Sequence, residues 1–402
     1  MYPKIYPAIC IIFLALFAGC GRQPESPVLR RGSPGSVGMD ATKLAQIDDL
    51  IVTEIEKQNL PGAVLLVARK GVIVLHKTYG NVQVFPDTLP MTEDIIFDMA
   101  SVTKPVATAT SIMILAERGQ LRLMDTVEKF IPEYTRFIPA DGTAAEPIRL
   151  YHLLTHTSGL PPYTDVAALK AEFDTPCPKA VIRHIATIKK QNPPGKHFAY
   201  SCLGFITLAE IVRRVSGMEI GEFARVNIFE PLNMHHSMFT PPDELLPQIA
   251  PTEVFNGVPL KGFVHDPLAQ LLNGQSGNAG LFSTTGDLAI FAQMMLSGGI
   301  YKGVRILSPL TVRAMTSLYP ELKFAGRGLG WDIRSAYASN MGDIFPTSSY
   351  GHTGFTGTSL VIDPETETIV ILLSNRVHLP HGDVIALRSK VANIVAASII
   401  EK

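Results

Sequence analysis

Phe97-Asp98-Met99-Ala100-Ser101-Val102-Thr103-Lys104 leads into a helical run from Ser101 to Glu117 that stops at Gly119. A glycine just past the last turn is the common end of a helix. On that helix Ser101 and Lys104 stand three apart, on one face and about one turn from each other. A lysine held beside a serine in a desolvated cleft can lose its proton and act as a base, turning a weak hydroxyl into a nucleophile. A serine at a helix N-terminus also has free backbone N–H groups nearby that can stabilise an oxyanion. A bare Ser-x-x-Lys arises by chance in most large proteins, so what surrounds it decides its meaning.

Outward from this stretch, Asp40 reads as an N-cap, and Leu44, Ile47, Leu50, Ile51 and Ile55 recur at helical spacing. Residues 63–68 and 72–77 are apolar runs around Arg69-Lys70-Gly71, a hairpin signal. A second hairpin, 359–362 and 368–373 around Asp363-Pro364-Glu365, precedes a final helical segment, 383–400. Further helices are expected over 208–215 before Gly217, over 285–296 before Gly298, and over 309–318 with Ser308 as cap. Helix plus hairpin at one end and hairpin plus helix at the other predict an α/β (α+β) fold. Its antiparallel sheet is built from both termini and flanked by helices, with a large, mostly helical insertion. The expected layout is an α/β layer from about 39–90 and 325–402, with the insertion at about 90–325.

Other segments carry chemistry in a fixed order. His152-Leu153-Leu154-Thr155-His156-Thr157-Ser158-Gly159-Leu160-Pro161 comes first, and Asn192-Pro193-Pro194-Gly195 then leads to Tyr200-Ser201-Cys202. Gly280 to Ala289, and Gly351-His352-Thr353-Gly354-Phe355-Thr356-Gly357 before the second hairpin, complete the set. Ser-x-x-Lys, then Tyr-Ser-x, then a basic residue followed by Thr-Gly on a strand resembles the serine β-lactamase and penicillin-binding protein family. The likeness is to the branch of class C β-lactamases, D-Ala-D-Ala carboxypeptidases, muramoyl-peptide amidases and related esterases, and it covers nearly all of the chain from about Gly35.

The resemblance implies roles. Ser101 would attack a carbonyl to give an acyl-enzyme, while Lys104 and Tyr200 share the proton traffic. The backbone N–H groups of Ser101 and Phe355 would form the oxyanion hole. His352, Thr353 and Gly354 would line the strand edge beside the substrate, with Cys202 and His265 also at the cleft. Two positions depart from the family pattern. His352 stands where β-lactamases and peptidases usually carry lysine, and a histidine is largely neutral at pH 7. Cys202 replaces the usual asparagine, and a thiol is a poor donor to a substrate amide. Both departures argue against efficient antibiotic destruction.

The leading expectation is therefore a serine hydrolase that cleaves an amide in peptidoglycan or muropeptides. An esterase on small acyl esters, a β-lactamase and a non-catalytic penicillin-recognising sensor are the alternatives. His265 and Asp266 either line the cleft or form a surface loop. Arg376 either binds a substrate carboxylate or ends a strand in a salt bridge. His152 and His156 have helix-compatible metal spacing, but a structural role at the turn before Gly159 is the expectation, and no metal or cofactor is expected.

Residues 1–19 read as an export signal: Lys4 is followed by an apolar run from Ile5 to Phe17, too short to span a membrane. Phe17-Ala18-Gly19-Cys20 resembles a bacterial lipobox, which makes Cys20 the lipidation site and residues 20–38 a Pro/Ser/Gly-rich tether. Residues 39–402 would then be one catalytic unit of a membrane-anchored envelope lipoprotein, acting as a monomer. Sequence separation does not decide whether Cys177 and Cys202 pair; two free buried thiols are the expectation. With 402 residues, 46 % hydrophobic and 18 % charged, the chain is not a disordered one. A formal net charge of −1 leaves no basic footprint for nucleic acid. Gly 32 and Pro 30 imply many structured loops rather than a helical bundle.

Overall fold

The computed structural model describes residues 27–401. The export segment and Cys20 expected from the sequence lie outside the described residues. Five strands make the central sheet: β1 (Gly62–Arg69), β2 (Val72–Gln83), β3 (Tyr350–Thr353), β4 (Ser359–Asp363) and β5 (Thr368–Ser374). They run antiparallel in the order β2-β1-β5-β4-β3, and β1 meets β5 in the register Leu66↔Ile371 and Val67↔Val370. Two short strands, Arg30–Arg31 and Leu89–Pro90, add to β2. The sheet thus joins both ends of the chain, as the paired hairpins predict. Between β1 and β2, Lys70 and Gly71 take φ of 48° and 75°, the positive values that a two-residue hairpin turn of right-handed strands requires.

Side chains alternate across a strand, and here both faces are covered. Val64, Leu66, Ile369 and Ile371 face the helical insertion, while Leu65, Val67, Val370 and Leu372 face the opposite layer. That layer is helix α1 (Ala41–Glu56), capped by Asp40 Oδ1 accepting from Thr42 and Lys43 N–H, together with the C-terminal helix 385–397. Burial on both faces is why β1 and β5 read as unbroken apolar runs.

The insertion holds α2 (Thr110–Glu117), α3 (Cys202–Ser216), α4 (Thr285–Leu296) and α5 (Pro309–Thr316); α6 is the C-terminal helix, Ile385–Ala397. Helix α4 packs under β1 and β5, and Ser308 Oγ accepts from Thr311 N–H at the start of α5. Helix α3 begins six residues before the expected start, with Gly204 inside it and packed on Leu153.

Two further segments differ from expectation. The run from Ser101 to Glu117 is not one helix: a 3-10 turn (Ala100–Val102) gives way to a wide π-type turn (Lys104–Ala109) and only then to α2. Pro105 has no N–H to donate, which breaks the regular ladder at that point, and the Pro105 carbonyl takes its bond from Thr110 Oγ1 at 2.9 Å. Residues 30–38, placed in the tether by composition, lie against the body. The fully buried Arg69 guanidinium draws the Val37 and Gly38 carbonyls onto it at 2.6 and 3.2 Å, and Gly38 O also accepts from Ile400 N–H.

Candidate active site

A cleft of about 830 Å³ opens between the edge of β3 and the insertion. Ser101, Tyr200, Cys202, His265, His352, Thr353, Gly354 and Phe355 all line it. The segments that carry them are far apart in sequence, so the fold alone assembles the set.

The turn bearing Ser101 is held in an uncommon shape. Ala100, immediately before it, has φ 45°, a left-handed value that costs a non-glycine residue energy. Asp98 supports that turn from below, with Oδ1 accepting from Ala100 N–H at 2.8 Å and Oδ2 from His265 N–H at 2.7 Å. Burial pushes the Asp98 carboxyl above the usual range in spite of those two bonds. The β3–β4 connection is stitched to the same place, since Thr356 Oγ1 donates to Asp98 O and Thr358 Oγ1 to Met99 O. Gly354 is needed here: a Cβ on it would come within 2.4 Å of Met99 O.

Lys104 is fully buried beneath Ser101, and its ammonium has three acceptors. Nζ donates to Ser101 Oγ at 2.9 Å, to Asn278 O at 2.9 Å and to Cys202 Sγ at 3.6 Å. It also stands 5.0 Å from the centroid of the Tyr200 ring. Burial opposes its charge, but Cys202 and Tyr200, as anions, attract it more strongly, so its pKa lies above that of an ordinary lysine. Burial likewise raises the Tyr200 hydroxyl, which interacts with both Ser101 and Lys104, and the Cys202 thiol. The cluster therefore binds its protons tightly at neutral pH, and removing one leaves a base in contact with the Ser101 hydroxyl.

The beta-lactamase family model matches residues 47–392. The chain belongs to the beta-lactamase family. It is 31 % identical over 383 residues to a Salmonella agona protein named "Putative D-alanyl-D-alanine carboxypeptidase", with 89 % of this chain and 88 % of the relative covered. Among solved structures, the hydrolase EstCE1, described as having promiscuous acyltransferase activity, superposes with a TM-score of 0.70 at 21 % identity, covering 88 % of this chain and 99 % of that one. A penicillin-binding protein homologue from Caulobacter crescentus superposes with a TM-score of 0.68 at 21 % identity, over 90 % and 98 % of the two chains. The chain is thus a beta-lactamase-family serine hydrolase with the mixed α/β fold expected from its hairpins.

The remaining residues of this beta-lactamase-family cleft fall into place individually. His352 is buried and neutral: burial first, then Arg327 and Lys104, hold its pKa well below the usual value. Its Nδ1 sits 2.9 Å from Thr353 O and takes the donor role there. Phe355 turns its ring to solvent, and its N–H has no partner among the described residues. The His265 ring packs 5.4 Å from the Phe355 ring, and its Nε2 lies 3.0 Å from Glu253 Oε1. Asp266 also lines the cleft, while its Oδ1 caps a short helix through Ala269 N–H and its Oδ2 accepts from the Tyr163 hydroxyl. Arg376 lines the cleft and, among the described residues, ends its strand without a salt bridge. It lies 4.5 Å above the Phe355 ring and donates to Phe355 O and Gly382 O. Cys177 and Cys202 are both free, Cys177 buried and Cys202 half-buried.

Sequence reasoning passed over several residues of the cleft. Asn278 O holds Lys104, yet it is a backbone atom in a glycine-rich run and carries no side-chain signal. Tyr163, Tyr337 and Ile385 give the cleft an apolar rim. His156 packs its ring on Tyr200 at 4.4 Å, and Arg327 stands 5.9 Å from the same ring. The His152–His156 spacing does carry a signal, but its use is structural: His152 Nδ1 accepts from Arg149 N–H, and burial lowers its pKa to about 4.

Proposed function

We propose that this chain hydrolyses an amide bond in peptidoglycan or its muropeptide fragments through an acyl-enzyme on Ser101. The observation that carries the reading is the 2.9 Å contact between Lys104 Nζ and Ser101 Oγ at the floor of the cleft, with Tyr200 beside both. Once the Lys104–Tyr200 pair has given up one proton, it can accept the Ser101 proton as Oγ attacks the carbonyl carbon. The Oγ–C bond forms, the N–H groups of Ser101 and Phe355 hold the oxyanion, and the C–N bond breaks as the stored proton passes to the leaving nitrogen. Water then adds to the ester by the same relay and returns the hydroxyl.

The name of the Salmonella relative supports a carboxypeptidase among such amidases. A second reading, an esterase on small acyl esters, is favoured by Cys202, whose thiol offers little to a substrate amide, and by the apolar rim of Tyr163, Tyr337, Phe355 and Ile385. Export and anchoring through Cys20 to a bacterial envelope membrane would bring a monomeric enzyme to wall-derived substrate by tethering, without help from its near-zero charge. Digestion of purified muropeptides, with products read by mass, tests the first reading. Release of a terminal D-alanine or a stem peptide by the wild type and not by Ser101→Ala is expected. Untouched muropeptides beside rapid turnover of p-nitrophenyl acetate would replace it with the second. Labelling with radioactive palmitate that Cys20→Ser abolishes is expected for the anchor.

A further inference from the structure

Arg327 is wholly buried, yet its guanidinium is poorly satisfied. Nη1 lies 2.9 Å from Asp332 Oδ2, while Nε and Nη2 have no hydrogen-bond partner among the described residues. A buried cation with so few bonds is costly to keep, and hydrophobic side chains of the same volume would fill the space at less cost. Its neighbours suggest what the charge does. Its Cζ stands 5.9 Å from the Tyr200 ring centroid, and the segment that carries it bridges through Asp332 to Gly351, beside His352.

The groups facing Tyr200 are Lys104, Cys202 and the Ser101 hydroxyl from the catalytic cluster, His156, His352 and the Tyr337 phenol packed near its ring, and Arg327 with Asp332 behind. Asp266 adds its charge through Lys104. Both histidines are neutral, with pKa values held well down by burial and by Arg327. Besides Lys104, the fixed positive charge standing over the phenol ring among the described residues is therefore Arg327. Asp332 offsets it, and that carboxylate is in turn held by Ser335 N–H and Oγ–H.

We propose that Arg327 is a positioning residue: acting through Tyr200, its charge sets how readily the Tyr200–Lys104 pair gives up the proton that acylation requires, and Asp332 restrains it. This rests on the Ser101 acyl-enzyme reading. A cation near a phenol favours the phenolate, and a carboxylate disfavours it, so the two residues act with opposite signs. A purely structural ion pair would lose the same function from either side.

The test is the pH profile of kcat/KM on a p-nitrophenyl ester for the full-length protein, Arg327→Gln, Arg327→Lys and Asp332→Asn. Arg327→Gln is expected to move the rising limb about one unit to higher pH, a roughly tenfold loss at pH 7 that recovers at high pH. Arg327→Lys should restore most of the wild-type position, and Asp332→Asn should move the limb to lower pH. If Arg327→Gln does not fold, Arg327→Lys and Asp332→Asn still carry the test through the opposite direction of the second. A limb that stays in place, or that moves the same way in Arg327→Gln and Asp332→Asn, overturns the proposal. Activity that persists in Ser101→Ala would instead overturn the acyl-enzyme reading beneath it.

Discussion

His156 lies along the Tyr200 ring, the two centroids 4.4 Å apart and the planes 29° from parallel. Its Nδ1 accepts from Ser201 N–H at 3.0 Å, and its carbonyl accepts from Ala199 N–H at 2.9 Å. The histidine therefore grips the residues on both sides of Tyr200 and leaves the phenol only a narrow range of positions. His156 itself sits at φ 58°, an uncommon value that the surrounding bonds enforce.

Replacing His156 with leucine keeps the volume but removes the acceptor for Ser201 N–H, leaving a buried donor unmade at a cost of about 1–3 kcal/mol. We expect kcat on an ester substrate to fall roughly 10- to 100-fold, with KM little changed and the far-ultraviolet circular dichroism intact. Full activity in the leucine variant would show that Tyr200 needs no such support.

Ser101→Ala should abolish turnover, by about 10³-fold or more, because the attacking oxygen is gone while the cleft remains. Covalent labelling by a fluorophosphonate, read by intact mass, should be lost in the same variant. Labelling retained in Ser101→Ala would place the nucleophile elsewhere.

Alkaline conditions should speed the reaction. Lys104 and Tyr200 are both shifted upward, so at pH 7 the pair is mostly in its fully protonated form, which has no room for the Ser101 proton. Deprotonation yields the competent form, and the activity rises with pH through that shifted value. A kcat/KM that climbs steadily from pH 7 to 9 on a stable ester is the expected profile; a flat or falling one would contradict the assignment of base.

Gly354→Ala should destabilise the protein without removing any polar group. The added methyl would fall 2.1 Å from Thr358 Oγ1 and 2.4 Å from Met99 O, where backbone must move. Overpacking of this kind costs roughly 1–3 kcal/mol, seen as a drop in Tm. A variant that melts with the wild type would mean that the nucleophile turn is looser than its bonds indicate.

Much of this was legible in the residues themselves. The hairpins at 62–83 and 359–374 announce themselves because β1 and β5 are buried on both faces and carry no polar interruption. Ser101, Lys104 and Tyr200 stand out because their side chains do the chemistry and recur in a fixed order. What stayed hidden falls into two kinds. Asn278 acts through a carbonyl, which every residue has, and only the three-dimensional path of its loop brings that oxygen to Lys104. Arg327 sits in a short turn with no periodicity of its own, and its value comes from Tyr200, more than a hundred positions earlier. The start of α3 and the break at Pro105 escaped for a simpler reason: apolar spacing alone marks neither, since Gly204 lies inside the helix against Leu153 and the pattern runs on unbroken past Pro105.

The sheet that unites the two ends of the chain has a consequence for how the enzyme is made. Arg69 pairs with Thr368 and Ala63 with Ser374, so the middle strand waits for a partner that leaves the ribosome only when most of the polypeptide is already out. Ser101 and His352 meet on the same schedule. Contacts so distant along the chain form slowly, and a nascent chain holding the nucleophile but lacking the last strands has no cleft in which to use it. Synthesis order thus acts as a safety catch: the cleft is complete only once the final fifty or so residues, with β3, β4 and β5, are in place.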